Sequence, residues 1–194
     1  MTSMSLRQEG SAARIALWVL MAVMTVLFLQ FMQAYVLRMG PTDWRPLPAL
    51  TPFWVNTAVL LLASLAMQAA TMAARRGQDG LMRKAFIAGG LLAVAFVAGQ
   101  LWAWQQLAAR NYSLTGSAAN GFLYLLSGMH GLHVIGGLVA WALIARRLSG
   151  GKRPQPGVGL CTVYWHFLLL VWLALFTLLF LLPPETIQAL CRAY

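Results

Sequence analysis

The chain has 194 residues, of which 60% are hydrophobic and only 9% charged, and its mean hydropathy is +0.71. Soluble domains carry roughly 25% charged residues, so this composition excludes a water-soluble fold and calls for lipid as the solvent. The net charge of +10 comes from fourteen Lys and Arg gathered between long apolar runs, a membrane-topology pattern that predicts no nucleic-acid partner.

Five runs without a charged residue follow in chain order, at 15–37, 52–74, 85–107, 121–145 and 160–182. Each reaches the ~20 residues that a helix needs to cross about 30 Å of hydrocarbon. Backbone polar groups inside a bilayer must pair within the segment, so the runs read as helices. The first run is too long for a signal-peptide core and lacks a small-residue cleavage site, so it reads as a retained helix. The expected fold is an all-α membrane protein, a single five-transmembrane-helix bundle over residues 1–194 with no soluble domain in its loops.

Ten of the basic residues fall on the side of the N-terminus, the second-to-third loop (Arg75, Arg76, Arg83, Lys84) and the fourth-to-fifth loop (Arg146, Arg147, Lys152, Arg153). Four fall on the other side: Arg38, Arg45, Arg110 and Arg192. This asymmetry predicts a cytoplasmic N-terminus and a periplasmic C-terminus. Cys161 and Cys191 then lie at opposite ends of the fifth run, too far apart for a disulfide. Trp44, Trp54, Trp102 and Trp104 are expected in an outer interfacial belt, and Trp18, Trp141 and Trp165 in an inner one.

All four carboxylates (Glu9, Asp43, Asp79, Glu185) lie outside the runs, which argues against a carboxylate-driven ion pathway or transporter. What remains inside is neutral. Thr57, Ser64, Gln68 and Thr71 recur at helical spacing on the second run, with Asn56 beside them. The third carries Gly89, Ala93, Ala95 and Gly99 before Gln100, and the fourth reads SGMHGLH over 127–133, followed by Gly136 and Gly137. Small residues let helices approach closely, and amides and hydroxyls bond across the seam.

His130, His133 and His166 are the chain's three histidines, and imidazoles on facing helices can ligate a haem. Counted from the ends of the runs, His133 sits ~18 Å and His166 ~9 Å from the inner side, a mismatch for axial ligands of one group. No third ligand completes a copper or zinc set, and no nucleophile has a matching base. The histidines read instead as structural hydrogen-bonding groups, and replacing His133 by Leu would loosen assembly by about 1–2 kcal/mol.

Beyond these patterns the chain bears a family resemblance. The segment FLYLLSGMHGLHVIGG at 122–137 resembles the signature helix of subunit III of haem-copper terminal oxidases. Tyr164, Trp165, His166 and Phe167 with Val171 and Trp172 are similar to that family's final helix. Asn56, Thr57 and Ser64 resemble its second core helix, and Gln100 with Trp104 its third. The family has seven-helix and five-helix forms, and this chain resembles the shorter.

The resemblance implies a non-catalytic, multi-pass subunit of a bacterial cytoplasmic (inner) membrane, docked on the catalytic subunit I. Subunit I would carry haem and copper, reduce oxygen and pump protons; this chain would bind neither group, while phospholipid could sit in its bundle. Structural and interface roles fall on His130, Gly131, His133, His166, Trp165, Asn56, Gln100 and Tyr124. Arg75, Arg76 and Arg83 are candidates for an anionic lipid, weighed against plain topology determinants. The chain departs from the family pattern at two acids. No carboxylate stands around 22–25, where the family commonly has a Ser-Glu pair, and Leu169 follows 166–168, where a Val-Asp is common. An accessory subunit beside a nitric oxide reductase and a small b-type cytochrome stand as alternatives.

Overall fold

The structure is a computed structural model and describes residues 2–38, 51–112, 117–150 and 155–182. Five helices appear: α1 (Thr2–Arg38), α2 (Thr51–Arg75), α3 (Asp79–Ala109), α4 (Ala118–Ser149) and α5 (Gln155–Phe176). A π-helical turn (Thr177–Leu181) completes the fifth span. Each of the five is long and apolar enough to cross a bilayer. Trp44, Arg45, Lys152, Arg153, Cys191 and Arg192 lie outside the described residues.

The turns follow from local chemistry. Between α2 and α3, Gly77 takes φ +70, and Gln78 N–H and Gly77 N–H bond back to the Ala73 and Ala74 carbonyls. That is a Schellman closure, in which glycine accepts the left-handed conformation without a Cβ penalty. The end of α3 repeats it with Asn111 at φ 64, Tyr112 N–H reaching the Leu107 carbonyl and Asn111 N–H the Ala108 carbonyl. Ser117 then caps α4 by accepting from the Asn120 N–H at 3.3 Å.

The α2–α3 hairpin makes the most extensive helix contact, and α5 packs on α1, α2 and α4 at once. Smallness sets the hairpin's closeness. Ala63, Ala70 and Ala93 are wholly buried along it, and a Cβ on Gly89 would meet the Met67 side chain and the Ala63 carbonyl at 3.0–3.2 Å. Gly90, the next residue, turns instead toward α4 and lies beneath the Trp141 indole. Two adjacent glycines thus admit two different neighbours.

Helix α5 begins at Gln155, five residues before the apolar run, because Pro156 and Gly157 are tolerated in a first helical turn. At its other end the Leu182 N–H reaches the Thr177 carbonyl, the wider closure of a π turn. Leu175, Phe176, Leu178 and Leu179 are all buried, so the wider turn keeps two consecutive pairs facing inward.

The tryptophan belts need correction. Trp18, Trp54 and Trp102 are half or more exposed, as interfacial residues are, but Trp165 is 0% exposed and belongs to the core with Trp172. Its helix packs on α1, α2 and α4, and both of these rings on α5 turn inward. Trp104 and Trp141 are partly buried and spend their N–H groups inside the bundle, on Ser127 Oγ and on the Phe86 carbonyl.

Candidate functional site

Polar groups inside the bundle gather along three seams. Between α2 and α5, Trp172 Nε1 donates to Thr57 Oγ1 at 2.9 Å, and Thr162 Oγ1 meets Thr71 Oγ1 at 2.8 Å and the Met67 carbonyl at 3.0 Å. His166 lies between them. Its Nε2 faces Gln68 Oε1 at 3.0 Å and its Nδ1 faces Ser64 Oγ. A carboxamide oxygen can only accept, so the ring proton sits on Nε2 and Ser64 donates to Nδ1. The second helix's polar face thus meets α5 through Thr57, Ser64, Thr71 and the carboxamide oxygen of Gln68.

Asn56 faces the other way. Its Nδ2 donates to the Phe96 carbonyl at 3.0 Å and to Gln100 Oε1 at 3.1 Å, joining α2 to α3. A Cβ on Gly99 would collide with Asn56 Oδ1, so this glycine makes room for the amide. On the α3–α4 seam Trp104 Nε1 donates to Ser127 Oγ at 3.1 Å. Tyr124 donates to the Tyr112 carbonyl at 3.1 Å, pinning the turn after α3.

The histidines of the fourth helix behave differently from each other. His130 is 0% exposed, and neither ring nitrogen has a hydrogen-bond partner among the described residues. It is held by aromatic rings, with Trp172 at 5.3 Å, Phe96 at 5.9 Å edge-on and Phe28 at 6.4 Å between centroids. These contacts pack the imidazole among rings from α1, α3 and α5. His133 is half-buried, bonds the Met129 carbonyl of its own helix at 2.7 Å and leans on Phe28. Replacing His133 therefore breaks a hydrogen bond internal to α4, and the imidazole that bonds across helices is His166.

The structure does not bring the three histidines together. Tyr164 on α5 donates to the His133 carbonyl at 3.1 Å, whereas His166, two residues on, turns to α2. Direction separates His133 from His166 as well as depth. Counted from the ends of α4 at Ser149 and α5 at Gln155, the two still differ in depth by ~8 Å at 1.5 Å per residue. Among the described residues no cluster of three or more His, Cys, Asp or Glu is placed to hold a metal ion.

Gly131 and the basic residues occupy plainer positions. A Cβ on Gly131 would meet nothing within 4 Å, so no packing within the chain requires glycine there. Arg83 donates to the Leu148 carbonyl and closes the end of α4 as a helix cap, while its guanidinium stays exposed with further N–H donors. Arg75 and Arg76 are exposed at the end of α2. One feature the residue patterns did not reveal is an apolar groove of about 470 Å³ between α1, α4 and α5, lined in part by Leu17, His133, Gly136, Ala140, Gly157 and Cys161. Its signal was present in the small residues at 136, 137, 140 and 157, which leave space on facing helices.

Replacing His166 by Leu is expected to cost about 1–2 kcal/mol, since two interhelical bonds go and Ser64 stays buried. Denaturation with increasing dodecyl sulfate in mixed micelles measures it. An unchanged midpoint would mean that the α2–α5 seam holds without the imidazole.

Five helices long and apolar enough to cross a bilayer, packed through polar seams between neighbours, define a multi-pass membrane bundle. The family model for cytochrome c oxidase subunit III matches residues 7–182, and the chain belongs to that family. It is 34% identical over 128 residues to the probable cytochrome c oxidase subunit 3 of Mycobacterium bovis, covering 64% of this chain and 63% of the relative. The match thus spans just under two thirds of that relative's length. Similarity extends at 28% identity over 157 residues, 77% of each chain, to cytochrome c oxidase subunit 3 of Thermostichus vulcanus. It also extends at 28% over 186 residues to cytochrome bo(3) ubiquinol oxidase subunit 3 of Pseudomonas aeruginosa, covering 90% of this chain and 87% of that one.

Proposed function

We propose that the chain is the non-catalytic subunit III of a bacterial haem-copper terminal oxidase, embedded in the cytoplasmic membrane with its N-terminus inside. The observation that carries this reading is the family match over residues 7–182. The relatives named above are subunits of cytochrome c and ubiquinol oxidases, which favours an oxidase over a nitric oxide reductase as the partner enzyme. Haem and copper belong to the partner subunits in this reading. The chain's own task is to pack against the catalytic subunit and stabilise it. The excess of basic residues on one side supports the orientation.

A phospholipid acyl chain is the occupant we assign to the apolar groove between α1, α4 and α5. Its walls are mostly apolar, and its two polar side chains, His133 and Tyr164, already bond within the bundle, so a chain of methylenes fills the trough without stranding them.

The test is a reduced-minus-oxidised visible spectrum of the tagged chain, purified in mild detergent and again after its partners are stripped. Haem bands should accompany the assembly and vanish with the partners, and a large haem-bearing subunit should co-purify. Bands that stay with the isolated chain would make it a cytochrome. A stable, partner-free monomer would equally overturn the reading.

A further inference from the structure

We propose that the outward face shared by α2 and α5, centred on Gln68 and His166, is the surface on which the catalytic subunit docks, through a transmembrane helix that offers a hydrogen-bond acceptor to the Gln68 amide. The proposal rests on the accessory-subunit reading and names the contact face that reading leaves open.

Depth is what sets this pair apart. Gln68 stands seven residues before Arg75 at the end of α2, ~10 Å into the span at 1.5 Å per residue. His166 stands nine residues after Gly157 on the fifth span, ~14 Å in by the same measure. Lipid at that depth is hydrocarbon, and a polar group facing it has nothing to bond. Yet Gln68 is exposed and His166 only half-buried.

The pair also has a direction. His166 takes Gln68 Oε1, so the amide nitrogen, a donor of two protons, is the end left over, and it has no partner among the described residues. Ser64 fixes the ring from behind. The result is a hydrogen-bond donor held in place by two helices. Gln30 and Gln33 are exposed too, on α1, but among the described residues neither bonds to another helix.

Around this donor the surface is apolar and continuous. Trp54, Leu61, Leu65 and Met72 share the helical face of Gln68, and Val163, Leu170 and Leu173 share that of His166; all are 38–65% exposed. Two neighbouring helices with exposed apolar ridges offer a groove for a third. A polar group at its centre supplies registry as well as attraction.

The chemistry chooses among occupants. Lipid carbonyls and phosphates lie at the interface and do not reach a donor ~10 Å inside the hydrocarbon. A second copy of this chain related by a two-fold axis could accept only through the remaining lone pair of its own Gln68 Oε1, the other being held by His166, which makes it a poorer acceptor than a carbonyl or carboxylate free of that bond. A helix of a different subunit carrying a carbonyl, hydroxyl or carboxylate acceptor meets the requirement.

The test places a photoreactive benzoylphenylalanine at Leu65 or Leu170, and for comparison at Leu29 on α1 or Val139 on α4, in the tagged full chain in its native membranes. Adducts with the large haem-bearing subunit should form from 65 and 170 and be at least tenfold weaker from 29 and 139. Adducts mainly from 29 or 139, or equally from all four, would overturn the assigned face while the subunit reading stood, since co-purification of the large subunit is scored separately. Chain-to-chain adducts from 65 or 170 would make the face a homodimer contact and overturn it as well. If no large subunit co-purifies, the subunit reading itself fails and the proposal falls with it. Gln68→Leu should weaken retention of the large subunit about threefold in a detergent titration. Thr71→Val removes a bond on the same α2–α5 seam but touches neither Gln68 nor His166, and should not. Equal losses in both would assign the amide to internal packing and sink the proposal.

Discussion

Gly90→Ala should destabilise the bundle by about 2 kcal/mol, a large effect for a single methyl group. The Trp141 indole lies directly over this glycine, so a Cβ would fall within the ring and not beside it. Trp141 is also anchored there, its Nε1 donating to the Phe86 carbonyl at 2.8 Å one turn earlier on α3. The indole must leave, and with it go that bond and the close approach of α3 to α4. Alanine's better helix propensity returns less than about 1 kcal/mol.

Two controls separate this from a general intolerance of the substitution. Gly131→Ala and Gly136→Ala add a methyl group where nothing lies within 4 Å, so neither should lower the denaturation midpoint. In a Trp141→Ala background, Gly90→Ala should lose most of its cost, because the atom it collides with has gone. Equal costs of Gly90→Ala in both backgrounds would show that the indole is not what the glycine accommodates.

Gly89 and Gly90 also show how far the sequence could be read. The five spans were legible because each is a long run without charge, and small residues inside them announced close helix contacts. Which contact each residue serves was not legible. Neighbouring glycines point about 100° apart on a helix, and only knowing that α3 lies between α2 and α4 assigns them to Met67 and Trp141. The helical spacing of Thr57, Ser64, Gln68 and Thr71 identified a polar face, and that face does meet α5.

The histidines mark the limit from the other side. His130 and His133 look equivalent as a pair three apart, yet one is enclosed by aromatic rings from three helices and the other borders a groove. No local pattern distinguishes them, since the difference lies in which neighbours pack there. Trp165 was assigned to a belt by its position near a span end. The helix starts before its apolar run, at Gln155, and the ring turns inward where α5 packs on α1, α2 and α4.

Asn56→Leu is expected to cost about 3 kcal/mol, the largest effect of any single polar replacement in the bundle. Asn56 is 3% exposed and its amide donates to both the Phe96 carbonyl and Gln100 Oε1. Leucine matches its bulk but offers neither donor. Gln100, 4% exposed and with Nε2 already unpartnered among the described residues, would then be left unsatisfied at both ends of its amide. The leucine methyl groups would also press on Gly99, where only the flat carboxamide now fits. Because most of this loss is the stranded glutamine, the double replacement Asn56→Leu with Gln100→Leu should cost at least about 1 kcal/mol less than the sum of the singles. Denaturation midpoints in mixed micelles for the four proteins of that cycle decide it. Strict additivity would mean that the two amides do not act as a pair, and that the α2–α3 hairpin is held by its small residues alone.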